Sequence, residues 1–192
     1  MSHGGKLMEQ RNLMLTNRHF LDLNPLIAGE EVCLPGHRFG PAVRPYTLIH
    51  YILKGCGVFY VQGQAYPVYP GQAFLIRPGE VTTYEASRED PWHYQWIGFD
   101  GMLSHDFQYL PPVFPLPNCP IPDMIEKARN SYAPEHTLVA LLFLLLEQIR
   151  PTPISGNEHI SKLKSYIAAN YMQPLRVEEL AKQMNLDRRY LS

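Results

Sequence analysis

Between residues 46 and 99 the chain alternates short apolar runs with turn residues. Residues 46–53, 58–61, 65–68, 73–76, 82–86 and 93–99 are six such runs, rich in β-branched and aromatic side chains. Gly55–Gly57, the Pro70-Gly71 and Pro78-Gly79 pairs and the polar stretch 87–90 punctuate them. Strands this short and this regularly spaced predict an antiparallel sandwich or barrel. Each Pro-Gly pair suits a type II turn, because proline presets the first central φ and glycine supplies the positive second one. Gly55 and Gly57 are read as flanking a first hairpin. No strand alternates with a long helix, which argues against a parallel α/β fold.

The texture then changes. Residues 100–122 contain Pro111, Pro112, Pro115, Pro117, Pro120 and Pro122. They are expected to form a loop with neither helix nor central strand. Helices are predicted over 124–132 and 135–149. The second contains nine consecutive apolar residues, 138–146. A helix apolar all round must be buried on more than one side, so one face is expected on the β domain and another on a second copy. Pro151 to Gly156 reads as a linker. Beyond it Ile160, Leu163, Ile167 and Tyr171 mark one helix, Pro174 ends it, and two further short helices flank a turn at 185–187. Residues 1–12 are polar and read as a mobile tail.

Composition narrows the function classes. The chain has 192 residues, is 45% hydrophobic and 18% charged, and carries a net charge of −1. That suits a folded domain with a small second one and excludes a disordered or disulfide-stapled chain. Cys33, Cys56 and Cys119 are sparse and show no CxxC spacing, as expected of a reducing compartment. No run is long enough to span a bilayer and no signal pattern opens the chain, so a cytoplasmic protein without membrane partners is expected. Residues 1–150 hold 11 basic and 14 acidic residues, whereas residues 151–192 hold 6 and 4. This basic excess is small.

Leu175, Glu178, Glu179, Leu180, Ala181, Met184, Leu186, Tyr190, Leu191 and Ser192 follow the pattern of a helix-turn-helix. They resemble the first such unit of the AraC/XylS transcription regulators. Independently, Gly55 and Gly57, the two Pro-Gly pairs, residues 74–76 and residues 94–99 are similar to the sugar-responsive cupin domain of that family. The resemblance covers about residues 15–192. It implies a mainly β fold with C-terminal α: a cupin-like antiparallel β-barrel (13–122), a helical dimerisation segment (123–150), a linker (151–157) and a partial helix-turn-helix domain (158–192). It also implies a sugar effector, a homodimer and operator DNA as partners. Family members carry two helix-turn-helix units, and only the first is entered here. The chain is therefore expected to be a fragment that does not itself bind an operator, although its full-length parent does. Arg188, Arg189 and Lys182 are the candidate DNA contacts.

A sugar site takes an aromatic platform and a few polar groups. Trp92, Trp96, Tyr84, Tyr94, His50, His93, Arg38 and Arg44 supply such a set. The resemblance puts Trp96 and Tyr84 on sugar-contacting positions, and Tyr94 where the arabinose-type sensors have a histidine. Of the two arginines, Arg38 is slightly preferred. Asn24, on the N-terminal arm, is a candidate for closing over the pocket. Overall likeness to multiple-sugar-metabolism regulators points to an α-galactoside-like effector. The competing reading makes Trp96 and Trp92 core residues. Cupin enzymes bind metal through a His-x-His pair, a Glu and a later His. The matching segment 76–86 has no histidine, so neither enzyme activity nor a metal or other cofactor is expected. No Ser/His/Asp set, P-loop or dinucleotide motif is present. The alternatives to a regulator are a metal-dependent cupin enzyme and a stand-alone carbohydrate-binding module.

Overall fold

The computed structural model describes residues 9–149. They lie in the first of two units into which the chain divides, Met1–Ile149 and Arg150–Ser192. Among the described residues ten strands are formed: β1 (Glu9–Leu13), β2 (Asn24–Val32), β3 (Arg38–Val43), β4 (Thr47–Lys54), β5 (Gly57–Val61), β6 (Gln64–Val68), β7 (Gln72–Ile76), β8 (Val81–Ala86), β9 (His93–Asp100) and β10 (Val113–Pro115). A 3₁₀ helix, Met102–Tyr109, precedes β10, and two α-helices follow it, α1 (Ile121–Arg129) and α2 (Pro134–Ile149). All strand pairing within the sheets is antiparallel. One sheet has the order β1-β2-β9-β4-β7-β10 and the other β3-β8-β5-β6. The fold is thus β-rich and antiparallel with C-terminal helices; among the described residues the two sheets share no ladder and the expected closed barrel does not form.

Period-two alternation sorts the buried side chains of the larger sheet's central strands between two cores. On β4, Leu48, His50 and Ile52 face the smaller sheet, and Ile49 and Tyr51 pack on the helical side. On β9, Tyr94 and Trp96 point between the sheets, and Ile97 and Phe99 point toward the helices. β4 and β9 are covered on both faces, which explains their nearly continuous apolar character. The helical core joins Ile121, Ile125, Leu138, Leu142 and Leu145 to the back of the sheet.

The turn readings hold at Gly71 (φ 82°) and Gly79 (φ 80°), both at the value a type II turn needs. At Gly55–Gly57 the expected hairpin is absent. β4 and β5 belong to different sheets, and the glycines serve close packing instead. A Cβ on Gly57 would lie 2.4 Å from the Glu85 carbonyl oxygen and 2.6 Å from Trp92 Cζ3. The expected 1–12 tail is also corrected: Glu9–Leu13 pairs with β2, Glu9 opposite Val32 and Leu13 opposite Ala28. Within 100–122, the 3₁₀ helix lies before the first proline and β10 is an edge strand ending in Pro115. An edge position tolerates the missing N–H.

Helix α1 starts three residues earlier than expected, and α2 begins at Pro134. The apolar run of α2 has two faces. Leu138, Leu141, Leu142, Leu145 and Leu146 are buried, whereas Phe143 and Leu144 are 44% and 48% exposed. Among the described residues no helix is long and apolar enough to cross a membrane. The expected linker and helix-turn-helix, with Lys182, Arg188 and Arg189, lie outside the described residues.

Candidate functional site

A cavity of about 640 Å³ opens between the two sheets. Its inner wall is the inward face of the larger sheet: Leu48 and His50 from β4, Tyr94 and Trp96 from β9. Tyr84 of β8 and Phe39 of β3 face them from the smaller sheet. Arg44, Pro45 and Tyr46, in the β3–β4 connection, form one side. Glu31 and Ile27 of β2 and Gln10 and Asn12 of β1 form the other.

The aromatic lining is held by ring contacts. Phe39 stacks on Tyr84 at 5.5 Å, His50 stacks on Phe74 at 4.5 Å, and Tyr94 meets His50 edge-on at 5.0 Å. Trp96 lies against β2 because residue 29 is glycine; a Cβ there would come within 2.5 Å of the indole. The Arg44 guanidinium sits 4.6 Å from the centre of the Phe39 ring.

The polar groups are few and specific. The Tyr94 hydroxyl donates to Glu31 Oε2 at 2.8 Å, and His37 Nε2 lies 3.1 Å from Glu31 Oε1. His50 is fully enclosed, and burial with the nearby Arg44 charge pushes its pKa down to about 3. It is therefore a neutral imidazole at physiological pH. Its Nδ1 is buried without a hydrogen-bond partner, and such atoms call for an explanation in a folded protein. Burial raises the Tyr84 phenol to about 12 and the Tyr94 phenol further, so both remain donors.

Five of the sequence candidates meet here: Arg44, His50, Tyr84, Tyr94 and Trp96. Four do not line this cavity. Trp92 is wholly buried in the inter-sheet core, 5.8 Å from Phe74. His93 is on the opposite face of β9 from Tyr94, and its Nε2 lies 2.6 Å from Glu30 Oε1. Arg129 of α1 donates to the other oxygen of Glu30 at 3.1 Å, so this cluster ties helix to sheet. Arg38 is on the outer face of β3, 3.4 Å from Glu85. The preference between the arginines is thus reversed: Arg44 lines the cavity. Asn24 is buried at the start of β2, donating to Asp100 Oδ1 at 2.8 Å and to Asn17 Oδ1 at 3.1 Å. It is a clamp on the chain, and the arm residues beside the cavity are Gln10 and Asn12.

Glu31, Phe39, Tyr46, Gln10 and Asn12 escaped the sequence reading. Glu31 had a signal: it sits in an otherwise apolar stretch beside Glu30, and in a strand one of two adjacent residues must face inward. Gln10 and Asn12 had none, since β1 is polar throughout.

A sequence profile described as AraC-like ligand binding domain matches residues 24–165. The chain belongs to this family. Three curated relatives match most of its length. The Msm operon regulatory protein of Streptococcus mutans is 27% identical over 85% of this chain. The raffinose operon transcriptional regulatory protein RafR of Pediococcus pentosaceus is 27% identical over 92%. The lactose operon transcription activator of Staphylococcus xylosus is 25% identical over 91%. The chain spans 66%, 72% and 70% of their respective lengths. Among solved structures, a cupin 2 conserved barrel domain protein from Salinispora arenicola is 15% identical, covering 53% of this chain and 82% of its own, with a TM-score of 0.41. The protein YhaK from Escherichia coli is 17% identical, covering 57% and 52%, with a TM-score of 0.46.

Proposed function

We propose that this AraC-like ligand binding domain senses a galactose-containing oligosaccharide in the inter-sheet cavity and belongs to a transcription regulator of carbohydrate-use genes. The observation that carries the reading is the cavity lining. Trp96, Tyr84 and Tyr46 offer aromatic faces to the apolar side of a sugar ring. Arg44 and Glu31 offer donors and acceptors to its hydroxyls. The volume falls in the range of about 300–1,000 Å³ usual for small-molecule sites. Two of the relatives are named for the raffinose and lactose operons, and both sugars contain galactose. Operator DNA is the implied second partner of the full-length regulator, with Lys182, Arg188 and Arg189 as contacts. A second copy is the implied partner of α2.

The metal-enzyme alternative is less well supported: among the described residues His50 is the one histidine in the cavity lining. A stand-alone carbohydrate-binding module is disfavoured by the regulator relatives. Isothermal titration calorimetry with raffinose, melibiose, lactose, arabinose and glucose tests the proposal. Saturable binding of at least one galactoside, lost in Trp96→Ala and Arg44→Ala, is expected. Heat-silent titrations with every sugar, confirmed by unchanged melting temperatures, would reject it.

A further inference from the structure

Three chemically distinct side chains converge where β2 ends. Glu31 and Cys33 are two residues apart, so a strand's period turns both inward, and both are buried. The chain then reverses. The His37 N–H donates to the Leu34 carbonyl at 3.0 Å, and Gly36 adopts a φ of 69°. Further backbone bonds fix the ends: the Cys33 N–H donates to the Trp92 carbonyl at 3.1 Å, and the Ala86 N–H to the His37 carbonyl at 2.9 Å. The result brings His37 Nε2 to 3.1 Å and Cys33 Sγ to 3.8 Å from one carboxylate oxygen, Glu31 Oε1. The three ligand atoms all lie within 4.8 Å of one another.

These spacings fit a metal. A tetrahedral zinc ion bound at about 2.0–2.3 Å holds its donors about 3.3–3.6 Å apart; the two distances to Glu31 Oε1 bracket that range, and the sulfur and the imidazole nitrogen lie within 4.8 Å of each other. The groups around the three also match. The Tyr94 hydroxyl occupies Glu31 Oε2, which fixes the carboxylate and leaves Oε1 to face Cys33 and His37, as outer groups do for metal ligands. A His37–Glu31 ion pair accounts for two of the residues. The Cys33 thiol is enclosed beside the same carboxylate and donates to Glu31 Oε1 at 3.8 Å; a divalent cation would replace the proton shared between them.

We propose that Glu31 Oε1, Cys33 Sγ and His37 Nε2 form a three-ligand site for one zinc-class divalent cation at the junction of β2, β3 and β8. On binding, the thiol proton passes to solvent and the sulfur's lone pair to the metal. Three protein ligands leave the fourth tetrahedral position to water. The site is separate from the histidine-pair position of cupin enzymes and does not depend on sugar binding, although Glu31 lines the cavity as well.

The test titrates the reduced, chelator-stripped full chain with Co²⁺, which reports on thiolate ligation, without sugar. The expected result is a thiolate-to-cobalt charge-transfer band that saturates at one ion per chain and is displaced by one equivalent of Zn²⁺. Cys33→Ser should abolish the band, while Cys56→Ser and Cys119→Ser leave it unchanged. His37→Ala should weaken binding about 100-fold. Tyr94→Phe should weaken it about tenfold and keep the band. If Cys33→Ser fails to fold, His37→Ala, on a partly exposed turn, still decides the question. No band in the wild type, a band that survives Cys33→Ser, or an unchanged affinity in His37→Ala would overturn the proposal.

Discussion

Trp92 and Trp96 are four residues apart, yet they answer to different constraints. Trp92 is fully buried among Phe74, Tyr84 and Tyr94. Trp92→Ala is therefore expected to destabilise the domain by about 3–5 kcal/mol, the range for deleting a buried aromatic. Trp96 borders the cavity, so Trp96→Ala should cost less stability and abolish galactoside binding. Urea unfolding and calorimetry on both variants check the contrast; equal losses of stability with intact binding in Trp96→Ala would make both residues core. His50 gives a pH test. Its folded pKa, about 3, lies below the unfolded value of about 6.5. Above pH 6.5 both states are neutral and the group adds no pH dependence. As pH falls through that window only the unfolded chain takes up the proton, so stability drops by up to about 1.4 kcal/mol per pH unit. His50→Gln should flatten the stability profile between pH 6.5 and 5 by about one proton, as measured by urea unfolding at each pH. An identical slope in wild type and variant would show that His50 protonates freely. The inward set was largely legible at this scale, because Tyr94 and Trp96 share the parity of a strand. The same parity rule places His93 on the opposite face, next to Glu30. Arg44 was harder: it lies outside any strand, and its position depends on the ring of Phe39.

Strand β1 shows what periodicity cannot reveal. Its five residues carry no apolar alternation, because an edge strand beside a cavity need not bury a hydrophobic face. Its register comes from β2, a pairing that only tertiary structure supplies. The central strands were legible for the opposite reason, since burial on both faces makes them continuous apolar runs. The link between β4 and β5 misled because glycines that permit close packing have the same signature as glycines that permit a hairpin. Gly29, opposite Asn12, couples β1 to the site. A methyl there would lie 2.5 Å from Trp96 Cζ2 and 2.8 Å from the Arg11 carbonyl oxygen. Neither the indole nor the β1 backbone is a flexible chain end, so Gly29→Ala should move one of them. The expected outcome is a loss of galactoside affinity of about tenfold or more, equivalent to about 1.4 kcal/mol, with far-ultraviolet circular dichroism unchanged. Wild-type affinity in this variant would mean that β1 does not shape the ligand surface.

At the scale of the whole molecule, α2 decides how the domain presents itself. Leu138, Leu141, Leu142, Leu145 and Leu146 anchor it to the helical core. Ala140, Phe143 and Leu144 share the exposed face with His136 and Glu147. The apolar centre of this face has polar residues one to two turns away at either end, the layout of a small self-complementary contact. A second copy crossing it about a two-fold axis would place the same patch on both sides and remove Phe143 and Leu144 from water. Contiguous exposed apolar patches mark interaction sites on folded proteins. The wild-type chain is expected to sediment as a dimer and to melt at a temperature that rises with protein concentration, because association stabilises the folded state by mass action. Phe143→Glu with Leu144→Glu should give a monomer whose melting temperature is independent of concentration. Its galactoside affinity should persist, since neither residue lines the cavity. Both substituted side chains point away from the buried leucines, so the variant should keep its circular dichroism spectrum. A wild-type chain that sediments as a monomer at every concentration tested, with the same melting temperature throughout, would remove α2 as the dimer surface.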